Sequence, residues 1–148
     1  MVNILKRGCK ATTLSLIVTI YTLFAYHYPL FRLVVNNIEG GLNGWIITGG
    51  LAVLMLATNF MMSYIFLYLL RGVGKWIIGL SLIADAVALY FINTYDVLIT
   101  DSMMGNVFNT RYSEASGFFS WVAVLYVIFL GILPCIFVVS RKVDFGST

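Results

Sequence analysis

The residues best suited to chemistry in this 148-residue chain are the carboxamide of Asn106, the hydroxyl of Thr110 and the carboxylate of Glu114. They stand four positions apart in the stretch MMGNVFNTRYSE, so on a helix they stack along one face. A carboxylate pairs with a cationic amine, while an amide and a hydroxyl donate hydrogen bonds to phosphate or glycerol oxygens. That set suits the head group of a polar lipid. It equally suits a polar face that only meets water, and periodicity does not separate the two.

Other polar residues lie inside apolar runs. Asp85 stands midway along SLIADAVAL, with Ser81 one turn earlier and Asn59 in LATNFMMS as candidates to meet it. A carboxylate in hydrocarbon is costly and is expected to face neighbouring helices, paired or protonated. The plain reading is an interhelical hydrogen bond, worth about 1 kcal/mol. The alternative is a proton or ion pathway through Asp85. His27, in AYHYPLF, is a lone histidine with no metal partner in sight. Cys9 and Cys135 have no His or Cys at ligand spacing and predict neither a zinc site nor a disulfide. No nucleophile with its base and no phosphate loop is visible, so no catalytic residue and no metal ligand is assigned within these residues.

These groups must be positioned by membrane helices. The chain is 61% hydrophobic and 10% charged, with a mean hydropathy of +0.96. A soluble core of this size cannot hide so much apolar surface. The formal charge of +3 is modest, and the basic residues cluster in short groups and do not form a nucleic-acid face. Runs at 14–31, 45–70, 76–95 and 118–139 are each long enough to cross a hydrocarbon core of about 30 Å, and none alternates as a barrel strand would. Pro29 near the end of the first run reads as its stop, and Gly49–Gly50 in the second as a point of close helix packing. Trp45, Trp76 and Trp121 lie near span ends, as interfacial rings do.

Lys6, Arg7, Lys10, Arg71, Lys75, Arg141 and Lys142 fall on one side of such a bundle, and Arg32 and Arg111 on the other. The positive-inside rule makes the first side cytoplasmic, together with both termini. The first span then reads as an uncleaved anchor. The segment 101–115 reads as an amphipathic helix on the outer leaflet, with Met104, Val107, Phe108, Tyr112 and Ala115 on the face toward the membrane and Arg111 among them. The predicted fold is therefore an all-α membrane protein, one domain over 1–148. It has four transmembrane helices and a periplasmic interfacial helix between the third and fourth.

The stretch YFINTYDVLITDSMMGNVFNTRYSEA, from Tyr90 to Ala115, resembles the corresponding part of bacterial phosphoethanolamine–lipid A transferases, including the mobile colistin resistance proteins. The resemblance rests on Tyr95-Asp96-Val97, Ile99, Asp101 and Met104, on the stripe Asn106, Thr110 and Glu114, and on Pro29-Leu30-Phe31-Arg32 closing the first span. Thr100, which separates Ile99 from Asp101, and Asp85, where the family has small apolar residues, depart from the pattern. The resemblance implies a bacterial inner-membrane anchor serving polymyxin resistance. In such enzymes a periplasmic zinc domain moves phosphoethanolamine from phosphatidylethanolamine to lipid A. It assigns Asn106, Thr110 and Glu114 to the donor head group. On this reading the fifth span, the catalytic domain and its zinc lie outside the sequence, and these residues alone transfer nothing. A small four-helix transporter working through Asp85, or a membrane scaffold, are the competing readings.

Overall fold

The computed structural model describes residues 9–38, 41–95 and 120–144. A two-residue strand β1 (Cys9–Lys10) leads into helix α1 (Ala11–Tyr26), followed by α2 (Tyr28–Asn37), α3 (Leu42–Leu69) and α4 (Arg71–Tyr95). The last long helix, α5 (Trp121–Ser140), carries a π-helical segment at Val127–Ile132. Strand β2 (Val143–Asp144) then pairs in parallel with β1, Cys9 against Val143 and Lys10 against Asp144.

Helices α3, α4 and α5 are long and apolar enough to cross a membrane, and α1 with α2 makes a fourth crossing if the bent pair counts as one span. The first apolar run is thus not one helix ending at Pro29. It breaks at His27 with a bend of 54°, and Pro29 sits in the first turn of α2. Proline is accepted there because a first-turn residue has no intrahelical use for an N–H, and its ring denies the Ala25 carbonyl a donor in the helix that would otherwise continue. Helix α4 also starts earlier than its apolar run, at Arg71, because a residue such as Lys75 forms helix readily while its charge stays at the membrane surface.

One face of α1, formed by Ala11, Leu14, Ser15, Val18, Thr19 and Thr22, is buried. These positions recur at spacings of three and four, and the small hydroxyl residues among them let backbones approach closely. Leu14 and Val18 join Leu67 at the end of α3, Ile78 and Leu82 on α4 and Val138 on α5 in one apolar core. That core lies toward the end of the bundle that carries the basic residues. There the Lys75 ammonium donates to the carbonyls of Val139 (3.2 Å) and Arg141 (3.0 Å), closing the C-terminus of α5. The Cys9 amide adds a bond to the Lys142 carbonyl (2.8 Å). Cations at a helix C-terminus complement its dipole as well as its free carbonyls. Lys75→Met is therefore expected to lower the stability of the domain by about 1–2 kcal/mol. A denaturant titration in mild detergent, with Lys75→Arg as the charge-retaining comparison, measures it.

Two positions on the α4–α5 contact show how close these helices come. A side chain at Gly131 would start 3.0 Å from the Ile83 Cα and 3.2 Å from the Ala86 Cβ, and one at Gly79 would meet the Cys135 sulfur at 2.6 Å. Gly49 and Gly50, by contrast, have nothing within 4 Å among the described residues, so the close approach predicted at that pair is found elsewhere.

Candidate functional site

Away from the basic end the bundle opens. Of the apolar side chains buried among the described residues, only Ala86, Leu89 and Tyr90, all on α4, lie in this far half. The α1–α2 bend carries α2 away, and none of its residues is buried. Trp45 and Trp121 are exposed at this end, with Trp76 exposed at the other.

A polar and aromatic clasp joins α4 to α5 at the open end. The Tyr90 ring is buried, and its hydroxyl shares a hydrogen bond with Ser120 Oγ at 2.8 Å. Ser120 is also the N-cap of α5, accepting from the Ala123 amide at 3.1 Å. That cap position is where a serine satisfies a helix's first amides. Tyr126 sets its ring against Tyr90 with centroids 5.8 Å apart and planes at 68°. Its hydroxyl meets Asn93 Nδ2 at 3.4 Å. The clasp ties together the two helices from which the intervening segment 96–119 departs and to which it returns.

A second polar group lies deeper, at the α1–α2 elbow. The Tyr21 hydroxyl donates to the Leu130 carbonyl at 2.8 Å. The Tyr26 hydroxyl sits between that carbonyl and the one of Leu82, 3.0 Å away, and shares its proton between them. The two rings meet edge to face at 5.6 Å. Leu130 is available because residue 134 is proline: in a regular helix the amide of residue 134 would bond to the carbonyl of residue 130, and Pro134 has none. The helix widens into its π segment there. The His27 ring completes the elbow, its Nδ1 2.9 Å from the Thr22 carbonyl.

The intramembrane candidates do not converge. Asn59 donates to the Met55 carbonyl of its own helix (2.9 Å) and Ser81 to that of Ile77 (3.0 Å). Neither is bonded to Asp85 among the described residues. An amide or hydroxyl one turn from a carbonyl satisfies itself locally, without reaching a neighbouring helix. Asp85 is exposed on the outside of the bundle, within electrostatic reach of His27 and Tyr26. Asn106, Thr110 and Glu114, and the helix expected over 101–115, fall outside the described residues. Among the described residues no group of three His, Cys, Asp or Glu side chains is placed to hold a metal ion, so zinc has no fitting site in them.

These features define a helical domain with three helices long and apolar enough to cross a membrane, tight at its basic end and polar at its open end. Residues 51–148 match the family model described as phosphoethanolamine transferase EptA/EptB. The chain belongs to this phosphoethanolamine transferase family. It is 29% identical to the phosphoethanolamine transferase EptA of Helicobacter pylori over 109 residues, 74% of this chain and 20% of that protein. With the phosphatidylethanolamine transferase Mcr-1 of Escherichia coli it shares 31% over 94 residues, 64% of this chain and 16% of the other. With Mcr-2 of the same organism it shares 31% over 106 residues, 70% of this chain and 19% of the other. The sequence thus spans at most about a fifth of the length of these relatives. No solved structure gives a significant match.

Proposed function

We propose that these residues form the membrane domain of a phosphoethanolamine transferase and hold the donor lipid, phosphatidylethanolamine, at the outer face of the bacterial inner membrane. Glu114 pairs with the ethanolamine ammonium, and Asn106 and Thr110 donate to the phosphate and glycerol oxygens. Lipid A is the acceptor, reached through a zinc-bearing domain beyond the present sequence. Four crossings, with both ends of the domain on the cytoplasmic side, complete the reading. The pairing of β1 with β2 supports that arrangement, since it requires an even number of crossings between them.

The observation that carries the proposal is the family match over residues 51–148, which spans the whole Asn106, Thr110 and Glu114 stripe. The names of the Escherichia coli relatives, phosphatidylethanolamine transferases, support the donor. Family membership favours this reading over a transporter built around Asp85.

The test is lipid retention. With the purified chain in bilayer discs of mixed phosphatidylethanolamine and phosphatidylcholine, native mass spectrometry reads which lipid stays bound. A charge-assisted hydrogen bond is worth about 1.5–3 kcal/mol, so Glu114→Gln is expected to cut the preference for phosphatidylethanolamine by about ten-fold or more. An unchanged preference would remove the carboxylate from the site.

A further inference from the structure

We infer that the basic end of the bundle is a docking surface for an acidic phospholipid, one whose head group carries net negative charge. This end lies opposite the open one. The inference therefore goes beyond the donor-lipid reading and stands whichever lipid the open end takes.

Five bases gather here from different parts of the chain: Lys10 on β1, Arg71 and Lys75 in the first turns of α4, and Arg141 and Lys142 just after α5. Among the described residues the one acid at this end is Asp144, in register with Lys10 across the strand pair. The Cys9 amide bonds to the Lys142 carbonyl at 2.8 Å, which sets the backbones of Lys10 and Lys142 side by side. A basic cluster at a membrane surface attracts acidic head groups, and each lysine or arginine in it adds to the attraction.

Two of the bases are fixed in place. Lys75 Nζ donates to the carbonyls of Val139 at 3.2 Å and Arg141 at 3.0 Å. A helix C-terminus presents carbonyl oxygens that repel a phosphate, and this ammonium covers two of them. The Arg141 guanidinium lies over the Phe137 ring, 4.4 Å from its centroid. A cation held on an aromatic face gives up less freedom when it takes a phosphate, and the planar fork of a guanidinium suits phosphate oxygens.

The flanks of this end are apolar. Val73 and Trp76 are exposed on either side of Lys75 on α4, and Phe137 is exposed one turn before Arg141 on α5. Bases above exposed apolar side chains complement a phosphate above acyl chains. A free phosphate would use only the bases, so the occupant is a lipid and not a soluble anion.

The experiment places the full chain in discs of mixed phosphatidylglycerol and phosphatidylcholine and reads the ratio of the two lipids retained by native mass spectrometry. Lys142 is exposed, so the fold persists in Lys142→Gln. Lys142→Gln and Arg141→Gln are each expected to lower the ratio about five-fold, the worth of one base near a charged membrane surface. Arg141→Lys, which retains the charge, keeps most of the preference. Arg32→Gln removes the same charge from exposed α2 and leaves the ratio unchanged. The inference is overturned if Lys142→Gln and Arg141→Gln both leave the ratio as it was. It is also overturned if Arg32→Gln lowers the ratio equally, since net charge and not this surface would then set it. Displacement of the lipid by excess inorganic phosphate would mark a free-anion site and overturn the lipid. None of these residues belongs to the donor site, so the two readings fall separately.

Discussion

Gly74→Ala is expected to open the α3–α4 hairpin and destabilise the domain by ~3 kcal/mol. The reason is the tightness of the turn. Helix α3 ends at Leu69, and α4 begins at Arg71, whose backbone is left-handed at φ 28°. The amides of Val73 and Gly74 both return to the Leu70 carbonyl, at 2.8 and 3.2 Å. This brings the first turn of α4 against the last turn of α3. A methyl group on Gly74 would run into the Phe66 carbonyl, 2.7 Å from its carbon and 3.2 Å from the Leu67 Cα. All of these are backbone atoms, so no rotamer change relieves the clash and the helices must move apart. Leu67 and Ile78, on either side of the turn, belong to the apolar core and would lose their contact with it. Gly72 supplies the internal comparison. It has nothing within 4 Å among the described residues. There alanine should instead gain about 0.5–1 kcal/mol through its higher helix propensity. Unfolding of the two variants side by side in detergent, read by far-UV circular dichroism, separates the effects. Equal shifts would show that the turn is less crowded than its geometry states.

How much of this was legible in the sequence depends on what each feature requires. A spanning helix needs only a sufficient run of apolar residues, so α3, α4 and α5 lie where the runs at 45–70, 76–95 and 118–139 predict them. Hydropathy marks the lipid-embedded part of a helix and not its ends, which is why Arg71 belongs to α4 although it precedes the apolar run. The break at His27 was hidden because Pro29 ends one helix as readily as it begins another. Close packing was equally ambiguous: Gly49–Gly50 and Gly131 carry the same local signal, and of these Gly131 alone has a neighbouring helix against it among the described residues.

The site divides in the same way. The stripe of Asn106, Thr110 and Glu114 is a local repeat whose spacing matches a helical turn, and it falls outside the described residues. The clasp is not local. Tyr90 and Ser120 are 30 positions apart, and Asn93 and Tyr126 are 33 apart. Nothing in the composition of either helix marks a tyrosine as a bridge and not an interfacial ring. One sign was available: the polar residues on both sides of the segment 96–119 fall just inside the apolar runs, where a hydrogen-bonding group is expected to seek a partner on another helix. Asn59 and Ser81 share that sign yet bond within their own helices, so it does not by itself mark a bridge.

The elbow allows a cause to be tested by rescue. Tyr21→Phe and Tyr26→Phe together strip both hydroxyl donors from the Leu130 carbonyl while leaving the edge-to-face ring pair in place. Single interhelical hydrogen bonds in membranes are worth about 0.6 kcal/mol on average, but a half-buried carbonyl losing two donors at once should cost the domain ~2 kcal/mol. If Pro134 is why Leu130 depends on the tyrosines, Pro134→Ala returns an amide to the position that a regular helix uses. In that background the same double replacement should cost less than half as much. The comparison is a mutant cycle read by unfolding free energy, with the coupling between Pro134 and the tyrosine pair as its result. An equal loss in both backgrounds would mean that the carbonyl is served by the widened helix itself, and that the tyrosines hold the elbow by packing alone. A coupling above ~1 kcal/mol would instead tie the bend of α2, and with it the opening of the far end, to one missing N–H on another helix.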